Sequence, residues 1–147
     1  MPAEAEIHEA AADRLDDLGQ KYTTGRRTLV DVLTGLRGPV TIDAIRQERA
    51  LPLSSVYRNL VVLEEAGIVR RVNGVDEAPR FELAEDLTEH HHHLVCTSCG
   101  KVEDFVVPPG LERALNRAVH RAAEQKRFHT SGHQLDLVGL CADCHQR

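Results

Sequence analysis

At 147 residues the chain has room for one or two small domains. Hydrophobic residues make up 41% and charged residues 28%, the balance of a chain that packs a core in water. The aliphatic run at residues 60–63 is far too short to span a bilayer, and the acidic start MPAEAEIHEA lacks the basic-then-apolar order of a secretory signal. The expectation is a cytoplasmic protein with no membrane partner. With 3% aromatics and no Trp, a groove that stacks sugars or bases is disfavoured.

A net charge of −5 argues at first against a nucleic-acid partner. The distribution reverses that reading. Residues 21–80 carry ten bases against seven acids, whereas the segments on both sides are acidic. A local basic face is what phosphate contact requires.

Residues 3–18 are Ala-rich and place Ile7, Ala11, Leu15 and Leu18 at helical spacing before Gly19. A second helix is expected over residues 25–36, stopped by Gly38-Pro39, and a third over residues 41–49 with Thr41 as its N-cap. After a turn at residues 51–53, Ser54 is placed to cap a longer helix to about Ala66, with Gly67 just beyond. Residues 68–72 and 80–83 read as two strands around a loop of turn formers. Helices followed by a hairpin make a winged helix-turn-helix. Residues 1–83 are therefore assigned to a DNA-binding domain and residues 84–90 to a polar, acidic linker.

In residues 91–147, strands are expected over 91–95 and 101–107, then a helix over 111–126 that buries Leu111, Leu115, Ala118 and Ala122. A third strand is expected over 133–140. The fold class is α+β, with a winged-helix domain followed by a small α/β domain. At about 60 residues, that second domain is of a size that often needs a metal or a partner subunit.

On the helix from Ser54, the residues Ser54, Ser55, Tyr57 and Arg58 occupy the first turns, where a recognition helix meets bases and phosphates. Arg58 carries the fork that suits guanine or phosphate, and Tyr57 offers a hydroxyl to phosphate. Lys21, Arg26 and Arg27 are the expected backbone or minor-groove contacts. Taken singly, each basic residue is equally well a solvated helix position.

The four cysteines fall as two pairs, Cys96/Cys99 and Cys141/Cys144. Without a secretory signal, disulfides are disfavoured and metal ligation is favoured. A CxxC turn presents two thiolates from one knuckle, and two knuckles make the usual closed structural Zn²⁺ site. A redox dithiol in one pair, or an iron–sulfur cluster on all four, are the alternatives.

The run His90–His93 precedes Cys96 by two residues. In an extended segment alternate side chains point to opposite faces. His90 and His92 then share one face while His91 and His93 share the other, so one strand can serve two metal sites. Glu112 and His133 are the distant residues that can complete the first. The alternative is a solvated polar strand start. His8, His120, His129 and His145 receive no role. A metallohydrolase would need an open coordination position with a general base, and no HExxH pattern supports it. A zinc-storage protein with an incidental basic block is the other rival.

Three segments, LPLSSVYRNLVVLEEAGIVRRV, HHHHLVCTSCGKVEDF and GHQLDLVGLCADC, resemble the ferric uptake regulator (Fur) superfamily over about residues 20–145. The uninterrupted histidine run looks most like the zinc-sensing (Zur-like) branch. The resemblance implies a non-enzymatic, homodimeric, metal-dependent repressor of zinc or iron uptake genes that binds palindromic double-stranded operator DNA. It makes Cys96, Cys99, Cys141 and Cys144 the structural Zn²⁺ site. His90, His92, Glu112 and His133 match a regulatory site for Zn²⁺ or Fe²⁺, and Glu82, His91 and His93 match part of a hinge site between the domains.

The chain also departs from that pattern. Pro39 stands where many members carry a histidine ligand. Arg70 and Glu85 fall near positions where zinc-sensing relatives use Asp and Cys. The hinge site is therefore expected to be incomplete, or completed by Glu85 or another carboxylate. The linker is about two residues longer than usual, and the common His-rich tail is absent. A peroxide-sensing variant is expected to carry an Asp in its regulatory site, and no clear match stands out in the sequence.

Overall fold

The helical periodicity of the first half is satisfied by four helices that bury their apolar stripes against one another. In the computed structural model, which describes residues 2–147, these are α1 (Glu4–Asp17), α2 (Thr24–Leu36), α3 (Ile42–Arg49) and α4 (Leu53–Glu65). Ile7, Ala11 and Leu15 of α1 meet Leu29, Val30 and Leu33 of α2, Ile45 of α3, and Val56, Leu60 and Leu63 of α4. Leu18, expected on the buried stripe, instead follows the end of α1 and is 52% exposed. Thr23 and Thr41 cap α2 and α3, accepting from the backbone N–H of Arg26 and Ala44. Ser54 does not cap α4. That helix begins at Leu53, with Pro52 at the cap and no side-chain bond, which leaves the Ser54 hydroxyl at the surface.

The wing is β2 (Val69–Asn73) paired antiparallel with β3 (Pro79–Leu83), in register Val69↔Leu83 to Asn73↔Pro79. A two-residue strand, β1 (Val40–Thr41), joins its other edge and gives the order β1-β3-β2. Two residues carry no readable period, so β1 was not expected. The segment assigned as a linker is packed. Residues Glu85–Leu87 form a 3₁₀ turn whose Leu87 is buried in the core, and Arg14 of α1 ties it down through Asp86, 2.5 Å away.

The second sheet has the order β5-β4-β6, from β4 (His92–Cys96), β5 (Val102–Phe105) and β6 (Asp136–Gly139). β4 pairs antiparallel with β5 and parallel with β6, the parallel partner arriving after the crossover helix α5 (Pro109–Gln125). A short α6 (Ala142–His145) closes the chain. The apolar side of α5 is not buried within one chain: Leu111 is 57% exposed, Leu115 is half-buried, and Ala118 and Ala122 are exposed. β6 is exposed along its whole length.

Leu87→Ala should lower unfolding free energy by about 2–4 kcal/mol, the usual range for truncating a buried leucine. Urea unfolding checks this. A change no larger than that of an exposed leucine such as Leu18→Ala would return the segment to the status of a free linker.

Candidate metal centres and nucleic-acid interface

The end of β4 and the start of α6 bring the cysteines together. Parallel pairing sets Cys96 opposite Gly139, two residues before Cys141, so both knuckles meet at one corner. The four Sγ atoms lie within 4.8 Å of one another, with Cys99 Sγ 3.8 Å from Cys141 Sγ. Gly100, at φ +75, turns the first knuckle back into β5. Backbone N–H donors pull the Cys96 thiol down to about 6, first that of Cys141, whose N lies 3.4 Å from Cys96 Sγ. Cys144 is lowered by the Ser98 hydroxyl, but its contacts with the other thiols and its desolvation outweigh this and push it up to about 12. Four clustered sulfurs do not all ionise unaided. A divalent cation supplies the missing charge, and the all-sulfur set fits zinc.

On one face of β4 the structure brings together His90, His92, Glu112 and His133. Glu112 comes from the first turn of α5, and His133 from the segment before β6. His90 Nε2 and His133 Nε2 lie 3.0 and 2.9 Å from Glu112 Oε1, and His92 Nε2 lies 2.8 Å from Glu112 Oε2. His90 Nε2, His133 Nε2 and Glu112 Oε1 are nonetheless buried without a hydrogen bond. Convergent buried donors that do not satisfy one another are the arrangement a metal ion resolves. Hydrogen bonding from His92 holds Glu112 below its ordinary value.

The opposite face gathers Glu82, His91, His93 and Asp104. His91 Nε2 and His93 Nε2 each lie 3.1 Å from Glu82, which reaches across from β3 of the wing. Asp104 on β5, absent from the sequence reading, sits beside His93 through the register His93↔Asp104. Its oxygens are 3.8 and 3.7 Å from the two Nε2 atoms. Glu85, one of the carboxylates expected to complete the hinge, turns instead to His90 Nδ1 at 2.8 Å. Pro39 contributes no ligand. The adjacent Gly38, at φ +84, brings backbone so close that a Cβ there would stand 3.2 Å from the Asp104 carboxylate. Asp104 is thus a second carboxylate beside Glu82 in the hinge cluster.

Burial raises Glu82, but hydrogen bonds from His91 and His93 and the charge of Arg70 prevail and hold it at about 2. The Glu82 hydrogen bond lifts His91 to about 9. His93 is also raised, its desolvation outweighed by Glu82. Burial and the Glu82 charge push Asp104 up.

Sequence reasoning missed one further cluster, Glu4, His8 and Asp31. His8 Nε2 is 2.7 Å from Asp31 and Nδ1 is 2.6 Å from the Tyr22 hydroxyl, pinning α1 to α2. Only the i,i+4 spacing of Glu4 and His8 hinted at it. His120, His129 and His145 are exposed.

The expected nucleic-acid face is partly assembled. Tyr57 is 48% exposed on α4, with Arg58 and Ser54 exposed beside it and Ser55 half-buried. Lys21 is exposed, and the Arg27 guanidinium lies 4.7 Å over the Tyr22 ring. Arg26 is the exception. Its Nη1 bonds the Lys21 carbonyl at 2.5 Å and its Nε is buried, so the guanidinium orders the backbone before α2 rather than projecting freely.

A winged helix-turn-helix joined to a small sheet with paired CxxC knuckles defines a class of transcription regulator. The ferric uptake regulator family model matches residues 17–138, and the chain belongs to that family, whose members are regulators rather than enzymes. It is 31% identical over 142 residues to the peroxide operon regulator of Bacillus subtilis, covering 93% of this chain and 92% of that protein. It is 28% identical to the peroxide-responsive repressor PerR of Staphylococcus aureus, covering 98% and 95%. Among solved structures, the Helicobacter pylori ferric uptake regulator, described with three functional metal-binding sites, aligns at TM-score 0.74 and 26% identity, covering 98% and 95%. The Vibrio cholerae ferric uptake regulator aligns at TM-score 0.69 and 28% identity, covering 86% and 96%.

The hinge sets a pH dependence for the metal-free protein. Glu82, held at about 2 against 4.5, stabilises the fold above 4.5, and that contribution is lost as pH falls from there through about 2. His91, raised to about 9 from 6.5, contributes fully below 6.5 and less as pH rises through about 9. Melting temperature in chelator should therefore decline on the alkaline side across that window. His91→Gln should flatten the decline, and an unchanged alkaline limb would show that the pair carries no such stability.

Proposed function

We propose that the chain is a metal-dependent DNA-binding repressor of metal uptake or homeostasis genes, acting as a cytoplasmic homodimer on palindromic operator DNA. The observation that carries this reading is the convergence of unpartnered buried atoms at His90, Glu112 and His133 beside His92. A regulatory Zn²⁺ or Fe²⁺ held by His90, His92, Glu112 and His133 supplies positive charge where three imidazoles and one carboxylate crowd together. Cys96, Cys99, Cys141 and Cys144 hold structural Zn²⁺ and fasten the two ends of the second domain. Glu82, His91, His93 and Asp104 are the hinge donors. They join the wing of a DNA-binding domain, residues 1–83, to the sheet of residues 91–147. A metal promotes operator binding only by favouring the arrangement of DNA-binding domains that fits two half-sites.

A homodimer is supported by the exposed apolar side of α5 and the exposed residues Leu137, Val138 and Leu140, on an element too small to be stable with them in water. The uninterrupted histidine run supports zinc as the sensed ion. Response to peroxide is the second reading, supported by Asp104 in the hinge and by the peroxide-responsive relatives. Loss of operator binding on peroxide treatment of ferrous-loaded but not zinc-loaded protein would favour that second reading.

Metal analysis and gel-shift titration against divalent ions test the assignments together. Cys96→Ser with Cys141→Ser should remove one zinc per chain and lower the melting point. His92→Ala and His133→Ala should each weaken metal-dependent operator affinity by about tenfold or more while that zinc stays bound. Wild-type metal response in both histidine variants would leave the run a polar strand only.

Arg58→Ala should weaken operator binding by about 1–3 kcal/mol with metal content unchanged. Wild-type affinity and salt slope in that variant would remove Arg58 from the interface.

A further inference from the structure

The hinge cluster already holds a cation. Arg70 and Glu82 face each other across β2 and β3, so their side chains leave the sheet on one face. Arg70 Nε and Nη2 both lie 2.6 Å from Glu82 Oε1. The same Nη2 lies 3.3 Å from His91 Nε2. These are atoms that a metal ion would also use. The opposite ring nitrogens are occupied elsewhere, His91 Nδ1 by the Glu89 carbonyl at 2.8 Å and His93 Nδ1 by Asp136 at 3.2 Å. Both Nε2 atoms are thereby aimed at Glu82, the usual way a ligand histidine is oriented. The donor set fits a divalent ion, and a guanidinium occupies part of it.

We propose that Arg70 is a resident competitor at the hinge. Its guanidinium pairs with Glu82, lies within 3.3 Å of His91 Nε2, and must move aside before a divalent cation binds there. Glu82 is 3% exposed and carries a buried negative charge that requires a partner in every state. Arg70 cannot give up its charge by deprotonation, so it opposes a second cation at short range. With both imidazoles neutral, as metal ligands must be, the two carboxylates and the guanidinium sum to one negative charge, and without Arg70 the carboxylates sum to two. Among the described residues no arginine or lysine is bound to the Glu112 carboxylate of the His90 site in this way.

Two features make displacement feasible. Arg70 is 31% exposed, so its side chain has solvent to swing into. A cavity of about 230 Å³ lined by Arg37, Gly38, Glu82, His91 and Asp104 opens beside the cluster from residues that do not include Arg70. Arg70 consequently lowers the affinity of the hinge for a divalent cation below what its donors alone would give. Metal at the hinge then takes over the junction that His91 and His93 make with Glu82. This deepens the metal-sensor reading and rests on it for its biological meaning, but the binding competition itself requires no DNA.

The test is Co²⁺ titration of the dimeric, zinc-loaded protein, followed by absorbance in the visible range, with His91→Ala assigning the hinge equivalent. Arg70→Gln should tighten that equivalent by about tenfold or more, while Arg70→Lys, which keeps the charge, should stay within about threefold of wild type. An unchanged hinge affinity in Arg70→Gln overturns the proposal. Should Arg70→Gln lose its fold, the arginine Nε–Hε resonance of Arg70 in the wild type gives the answer. It should move on addition of the hinge equivalent and not before, and an unmoved resonance is equally fatal. Gel-shift titration of the same samples separates the two readings. Metal-dependent operator binding without an Arg70 effect sinks only the competitor role, whereas an Arg70 effect without metal-dependent operator binding sinks only the sensor.

Discussion

Everything that gives this molecule chemistry hangs on the alternation of one strand. β4 and the two residues before it send His90 and His92 to one side, His91 and His93 to the other, and end on Cys96. The period of two in an extended backbone makes that division obligatory. A slip of one residue would exchange the two histidine pairs and withdraw Cys96 from its knuckle. The register is held on both edges, antiparallel by β5 and parallel by β6. Three donor clusters are thereby built at fixed separations from a five-residue strand and its lead-in.

Those clusters place polar groups where water does not reach them. His92 and His93 are each 1% exposed and Glu82 is 3% exposed. Groups of this kind are tolerated only when paired or bound to a cation. The three clusters meet that requirement differently. The thiol cluster lowers Cys96 while raising Cys144, the His90 group leaves buried atoms without a hydrogen bond, and the hinge pairs Glu82 with a guanidinium of the wing. The hinge differs from the other two in another respect. Its donors come from both halves of the chain, so its state bears directly on how the wing sits against the second sheet.

The second half is also short of apolar cover. A sheet of three short strands and one crossover helix leaves Leu111, Leu137 and Val138 in solvent within a single chain. The first half suffers no such shortage, because four helices and the wing share a continuous core in which Leu87 takes part. The first half closes its core within one chain, and the second half would gain from a bound metal and a covering surface what it lacks in apolar burial.

The sequence alone determined the features that depend on local period and spacing. The four helices, the wing hairpin, the CxxC knuckles and the two faces of the histidine run follow from residues close together in the chain. Glu112 and His133, bland when taken singly, were candidates that the family resemblance singled out, and the fold brings them to His90 and His92 from α5 and from the segment before β6. What local pattern does not define was decided by the tertiary structure. Asp104 joined the hinge through strand pairing, Arg70 through its cross-strand partner Glu82, and Leu87 through a turn in a segment that is polar on paper. Likewise Arg26 turned to the Lys21 carbonyl, and His8 met Asp31 and Tyr22, because packing of α1 on α2 set the distances. Each of these contacts joins residues whose neighbours in sequence say nothing of the encounter. Periodicity fixes which way a side chain points, and only the assembled backbone fixes what it points at.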